Sequence, residues 1–310
     1  MAEASKGGDP AKERRDTRQG MTMAELAKEF TTYKVNLIKR GTAANHKTNW
    51  SKNILPIIGS MKVRDLTASD VIGLHINRGK KHPVNANRCV DLIKAAMNYA
   101  ELRGWREPHT NPARGIQKFP EFEKQRILSP EEIKRLFAVL DAYEPQRGVW
   151  AAPYAIKLLA LSGLRKTEWT YSKWSWVSES AGTLTLHDSK TGPRIVHLSE
   201  AVMTVLAEMR QYASGKWICP DSSDDKPLAG LGRHWKIVRK RAGLDDVRLH
   251  DLRHTVGSLG HRAGLSQKQI SELLGHRRLA TSARYIHTYD NEKRGAADIA
   301  AAAIMGMTGK

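Results

Sequence analysis

Cysteine is scarce in this sequence. Cys89 and Cys219 are the two present among 310 residues. That is too few for a disulfide framework or a cysteine-rich zinc site, so each reads as an ordinary reduced thiol. Long apolar runs are also missing: no stretch of about 18 or more exists, and no membrane-spanning helix is expected. The first twenty residues, MAEASKGGDPAKERRDTRQG, have no apolar segment behind their charges and do not read as a secretory signal. The expected compartment is therefore the cytoplasm, with no membrane partner. Twelve histidines are present, yet there is no HExxH and no carboxylate at ligand-like spacing beside them, so neither a metal nor another cofactor is expected. Nothing repeats at a fixed period, which sets solenoids aside. Acidic residues are the last shortage, with 32 Asp+Glu against 51 Lys+Arg and a formal net charge of +19.

Such an excess aids solubility, and an anionic membrane would also attract it. The basic residues, however, are spread over both halves of the chain and do not gather on one amphipathic helix. A long phosphate backbone rewards that distribution, so nucleic acid is the better partner. Charge alone does not separate a binder from an enzyme. The length suffices for two domains with separate cores.

Residues 1–21 are polar and read as a flexible tail or linker. Thr22 and Glu25 have capping-box spacing, after which Leu26, Phe30, Tyr33 and Leu37 return at helical intervals. Lys34, Lys39, Arg40, Lys47 and Lys52 follow, with no acid between residues 31 and 60. They read either as a solvated face or as contacts to backbone phosphates. Thr67 and Asp70 mark a second helix start. A third helix is expected from about Val84 to Leu102, with Cys89, Leu92, Ile93, Ala96 and Tyr99 inward. The span 22–112 thus reads as an all-helical domain suited to grip rather than chemistry. Pro112, Gly115 and Pro120 mark a linker, taken as 113–128.

A second domain, 129–295, opens at Ser129-Pro130-Glu131-Glu132, with an N-cap, a first-turn proline and a capping-box glutamate. Apolar helices are expected through about Leu140 and from Pro153 to Leu161. Two short strands, 183–187 and 194–198, flank a turn at Asp188-Ser189-Lys190-Thr191-Gly192. Helices over 199–213, 230–242, 250–262, 266–275 and 281–288 complete the expected fold. It is mainly α with a small β-hairpin. Residues 296–310 form an alanine-rich tail suited to covering their own domain or docking on a neighbouring copy.

Three short stretches carry chemistry. In LHDLRHT, His250 and Arg253 are three apart and share a helix face. An imidazole that moves protons near neutral pH then lies beside a donor fork suited to phosphate oxygens. In SGLRKTEW, Arg165 and Glu168 make either a structural ion pair or a phosphate clamp with its buttress. In LLGHRRLATSARYIH, Gly275 ends a helix, His276 occupies the turn, and Tyr285 lies on the next element. A phenol of pKa near 10 is a poor nucleophile unless positive groups stabilise its phenolate. The basic residues above offer that setting.

Together Arg165, Lys190, His250-x-x-Arg253, His276 and Tyr285 resemble the active-site signature of tyrosine recombinases, the phage-integrase family. SGLR after an apolar helix, SKTG in a turn, HDLRHT, and LLGH with a tyrosine nine positions on carry the resemblance over most of 129–290. Residues 22–112 resemble, less specifically, the family's helical core-binding domain. The resemblance implies that Tyr285 attacks a scissile phosphate and forms a 3′-phosphotyrosyl link. It implies that Arg165 and Arg253 hold the non-bridging oxygens, Lys190 protonates the leaving 5′ oxygen, His250 handles the tyrosine proton, His276 binds a phosphate oxygen, and Glu168 supports the site.

The same resemblance implies double-stranded DNA core sites as partners, a homo-tetramer on paired sites, and DNA-bending or directionality accessory proteins. It implies chemistry without metal or ATP. His197, Thr170 and Tyr171 depart from the family's commonest wording without touching those groups. Residues 6–15, KGGDPAKERR, resemble the linker after an arm-type DNA-binding domain, implying a chain that lacks that domain by truncation or by nature. The expected function is integration or excision of a mobile element. Alternatives are a chromosome-dimer-resolving recombinase, a type IB topoisomerase and a non-cleaving DNA-binding regulator.

Overall fold

A computed structural model gives the fold. It describes residues 20–122, 126–143, 149–187, 192–276 and 281–282, without the side chain of residue 40. The expected Lys190 turn, Tyr285 and the 296–310 tail lie outside the described residues. The chain divides into two compact units, Met1–Glu123 and Lys124–Lys310. As expected, it is mainly helical with a small antiparallel sheet. No described helix is long and apolar enough to cross a membrane.

The first unit contains α1 (Met23–Lys34), α2 (Arg40–Asn49), a π-helical turn (Trp50–Ile54), α3 (Leu55–Ile58), α4 (Ala68–Gly79) and α5 (Pro83–Leu102). Thr22–Glu25 and Thr67–Asp70 form full capping boxes, satisfying helix-start N–H groups that would otherwise lack partners. Phe30, Trp50, Ile54, Leu74, Ile93 and Met97 make its core. The helical reading through Leu37 overshoots: α1 ends at Lys34, and Leu37 is exposed. α2 and the π-turn were not expected as elements. α2 lacks a side-chain N-cap, and among its described side chains only Asn49 is buried, so no apolar period marks it.

Much of the stretch read as a linker is fastened to this unit. Just before it, the Asn111 side chain donates to the Lys94 carbonyl at 2.9 Å. Further on, the Asn87 amide bonds the backbone of Phe119 through both its ends, at 2.9 and 3.0 Å. The Phe119 ring stacks on His75 at 4.3 Å. A Cβ on Gly79 would lie 2.2 Å from that ring, so glycine is what admits it.

The second unit runs α6 (Pro130–Asp141), α7 (Ala151–Ser162), α8 (Lys166–Thr170), a 3₁₀ turn (Trp174–Trp176), β1 (Val177–Ser178), β2 (Thr183–Leu186), β3 (Arg194–His197), α9 (Glu200–Arg210), α10 (Leu231–Arg241), α11 (Asp251–Arg262) and α12 (Gln267–Leu274). The sheet order is β1-β2-β3, with Leu184 opposite Val196. The expected hairpin thus gains a third strand, too short at two residues to leave a sequence period. α7 is central, burying Ala152, Ala155, Ile156, Leu158 and Leu159 among Trp169, Leu206, Trp235 and Leu252. Both cysteines are free and buried. Burial pushes the Cys89 thiol up to about 11 and that of Cys219 to about 12.

Candidate active site

Two turns and one helix start in the second unit bring the basic residues together. α7 ends at Gly163, whose left-handed φ of 65° turns the chain sharply into Arg165 and α8. α12 ends at Gly275 in the same way, with φ 62°, and His276 follows. α11 begins after His250 and carries Arg253 one turn in.

Arg253 joins the two turns. It is nearly sealed from solvent and donates from Nη1 to the Gly163 carbonyl at 2.8 Å, and from Nη2 to the Leu274 carbonyl. Arg165 reaches the adjacent carbonyl, Gly275, from its own Nη2 at 3.1 Å. Both guanidinium groups therefore fix successive carbonyls of the turn that presents His276. The His276 Nδ1 lies 2.7 Å from Ser282 Oγ. Five N–H donors on an arginine leave Arg165 capacity beyond its bonds to Glu168 and Gly275, and its side chain stays 18% exposed.

Glu168 is the buried acid of the group. Its Oε1 accepts from Arg165 Nη1 at 2.9 Å, and its Oε2 accepts from the Arg165 backbone N–H at 2.9 Å. The ion pair expected at this helix start is present. Oε2 also accepts from Arg194 Nη2 at 3.3 Å. Arg194 was expected only as the first residue of a strand; its approach to Glu168 joins residues 26 apart and left no local signal.

α11 is anchored on its far side. The Thr255 hydroxyl accepts from the Leu128 N–H at 3.1 Å, and buried Asp251 pairs with Arg248 at 2.6 Å. His250 as a residue is exposed, with part of its ring against protein. Even so, the desolvation there pushes its imidazole down to about 4. The nearby His254, Arg253 and Arg248 charges add to that desolvation, and Asp251 opposes it. The ring is thus neutral at pH 7, the state able to accept a proton. The His254 ring meets it edge-on at 4.9 Å. Among the described residues, no group of three His, Cys, Asp or Glu side chains gathers as a metal would need. The arrangement can hold an oxyanion and exchange a proton beside it.

The first unit offers a groove of about 920 Å³ between α2 with its π-turn and the facing ends of α4 and α5. Lys52 lines it, as do Arg78, Lys81, His82 and Arg88, which the sequence reading did not single out. Asn49, Asn53 and Asn85 are bonded to one another at its base, and Arg78 Nε donates to Asn85 at 2.9 Å. Lys39 and Lys47 are exposed. Lys34 is half-buried, its ammonium over the Phe30 and Tyr33 rings at 5.8 and 5.5 Å, so part of that side chain packs. Arg40 begins α2, and its side chain is outside the described part.

Comparison with known proteins agrees with this architecture. Residues 126–292 match the phage integrase family, and residues 22–77 match the phage integrase N-terminal SAM-like domain. The integrase of Salmonella phage P22 is 28% identical over 221 residues, covering 65% of this chain and 53% of that relative. This match therefore spans about half of the relative's length. A tyrosine recombinase of Thermosipho africanus is 27% identical over 216 residues, covering 67% of this chain and 72% of its own. Among solved structures, a lambda integrase dimer bound to a COC′ core site superposes with a TM-score of 0.72 at 19% identity, covering 91% of this chain and 81% of that one. The Tn1549 transposon integrase in complex with transposon right end DNA gives 0.68 at 15% identity, covering 91% of this chain and all of that one. With the family match covering more than half of its residues, the chain belongs to the phage integrase family of tyrosine recombinases.

Proposed function

We propose that this chain is a site-specific DNA recombinase that cuts and rejoins strands through a 3′-phosphotyrosyl bond at Tyr285, in the service of integrating or excising a mobile element. The observation that carries the reading is the pair Arg165 and Arg253, both bonded to the carbonyls of residues 274–275 beside His276. Two fixed cations beside one turn suit a phosphodiester, whose non-bridging oxygens gain charge as the pentacoordinate state forms.

In the proposed reaction, the Tyr285 phenolic oxygen attacks phosphorus and its proton passes to neutral His250. The bond to the 5′ oxygen breaks, and Lys190 gives that oxygen a proton. His276 and the arginines hold the remaining oxygens, while Glu168 keeps Arg165 in place. One P–O bond replaces another, so a 5′-hydroxyl can reverse the step without ATP. The proposed division of labour is a helical grip over 22–112 and a catalytic part over 129–295. The grip would follow double-stranded DNA with Lys39, Arg40, Lys47 and Lys52, with Lys34 at its margin, and four copies would pair two core sites. The tail 296–310 would dock on its own domain or on a neighbour. The working compartment proposed is the bacterial cytoplasm, on the nucleoid.

The test is a denaturing gel of the chain mixed with nicked duplexes carrying the junction of the element that encodes it, without metal or ATP. A nick near the cut lets a short fragment escape, so the covalent species accumulates. A shifted protein–DNA band is expected. Binding in native gels with no such band would point to a non-cleaving binder.

A further inference from the structure

Arg194 opens β3, yet its side chain belongs to the cluster around Glu168. Nη2 donates to Glu168 Oε2 at 3.3 Å, and Nη1 donates to the Glu272 carbonyl at 3.3 Å. Gly275 makes room for it: a Cβ there would lie 2.3 Å from the Arg194 guanidinium carbon. The buried Nε has no hydrogen-bond partner among the described residues. One carboxylate thus faces two guanidinium groups, Arg165 at 2.9 Å and Arg194 at 3.3 Å.

The charge count matters here. Arg165 with Glu168 alone would be a neutral pair, its field turned inward on its own carboxylate. With Arg194 the trio keeps one net positive charge. That charge is largely desolvated, since the Arg194 side chain is 16% exposed and that of Glu168 is 2% exposed. Burial holds the Arg194 guanidinium below its usual range, with Glu168 opposing and the Arg165 charge adding to the shift. An under-compensated buried charge is relieved when an anion arrives.

We propose that Arg194 is a positioning residue that shares the Glu168 carboxylate and so leaves Arg165 net cationic toward a bound phosphate. A simple brace between β3 and the 272–276 turn would need only the carbonyl bond, and would not need the carboxylate that Arg165 already occupies. The inference rests on the reading of Arg165 as a phosphate-holding group.

The experiment is a titration of the full chain with inorganic phosphate, following the ¹⁵N guanidinium signal of Arg165, assigned by its loss in Arg165→Lys. Arg194→Gln is expected to weaken phosphate binding about tenfold, the size of one lost charge at short range in a partly screened site. Arg194→Lys keeps the charge and should stay within about threefold of the parent. Adding Glu168→Gln to Arg194→Gln returns the net charge and should recover most of the loss. Glu168→Gln alone adds a further positive charge and should tighten binding, which keeps the proposal open to refutation should Arg194→Gln fail to fold. Unchanged binding in Arg194→Gln overturns it. So does a double variant weaker than either single one, or weaker binding in Glu168→Gln, since each is what a brace would give. The readout uses neither cleavage nor a DNA site, so its failure is separable from failure of covalent capture.

Discussion

Arg165 and Arg253 differ in what they have left to offer a phosphate. Arg253 is nearly sealed and holds the Gly163 and Leu274 carbonyls, whereas Arg165 keeps an exposed edge beside Glu168. Replacing Arg253 should therefore damage the fold as well as any chemistry. A buried arginine that leaves two carbonyls unpaired costs about 1–3 kcal/mol for each group. Arg253→Ala is expected to lower the urea midpoint clearly; Arg165→Ala, which frees one carbonyl and leaves Glu168 paired with Arg194, should lower it less, and equal losses would contradict this division. His250 gives a prediction in pH. Its folded pKa near 4 lies below the ordinary 6.5, so between those values the unfolded chain takes up a proton that the folded chain refuses. Its contribution is therefore fully present above about 6.5 and is lost as pH falls toward 4. An NMR titration of the His250 ring should show a midpoint near 4 in the free protein; a midpoint at or above 6.5 would sink the assignment of a neutral base. Arg165, Glu168, His250, Arg253 and His276 were legible because each lies in a short stretch whose own turn or helix start displays it. Arg194 was not, because its importance comes from meeting Glu168 and Glu272, 26 and 78 positions away.

Two glycine-ended helices set the geometry of the site, and they make different demands. At Gly163, φ is +65°, and a Cβ would lie 2.8 Å from Leu274 Cδ2 and 3.0 Å from Val256 Cγ1, inside packed side chains. The left-handed conformation costs a non-glycine residue about 1–2 kcal/mol, and overpacking adds about 1–3. Gly163→Ala should therefore destabilise the chain by about 2–5 kcal/mol in equilibrium denaturation. A loss under about 1 kcal/mol would mean the turn is not as tight as described. Capping chemistry made the starts of α1, α4 and α6 readable, since Thr22, Thr67 and Ser129 each meet an acid three residues on. α2 escaped notice because neither a cap nor a steady apolar period marks it. Much of the stretch after Asn111 read as linker because proline and glycine interrupt it, although Asn87 and His75 bind it by contacts no local pattern reveals.

For the whole molecule, a net charge of +19 sets how DNA binding should respond to salt. The logarithm of the affinity should fall steeply and linearly with the logarithm of salt concentration. Each phosphate contact removed should lessen that slope by about 0.9. Lys52→Ala, in the groove beside Arg78 and Arg88, is expected to do so while weakening all sequences alike. A change confined to one sequence would make Lys52 a base reader instead. The central claim, however, concerns one atom, the phenolic oxygen of Tyr285. Its most direct test is to trap the protein–DNA adduct on a nicked junction duplex, digest both components, and sequence the modified peptide by mass spectrometry. Trypsin should release residues 285–293, YIHTYDNEK, which hold both Tyr285 and Tyr289. Fragment ions placing the nucleotide phosphate on Tyr285 are the predicted result, and its appearance on Tyr289 or on any other residue would contradict the account.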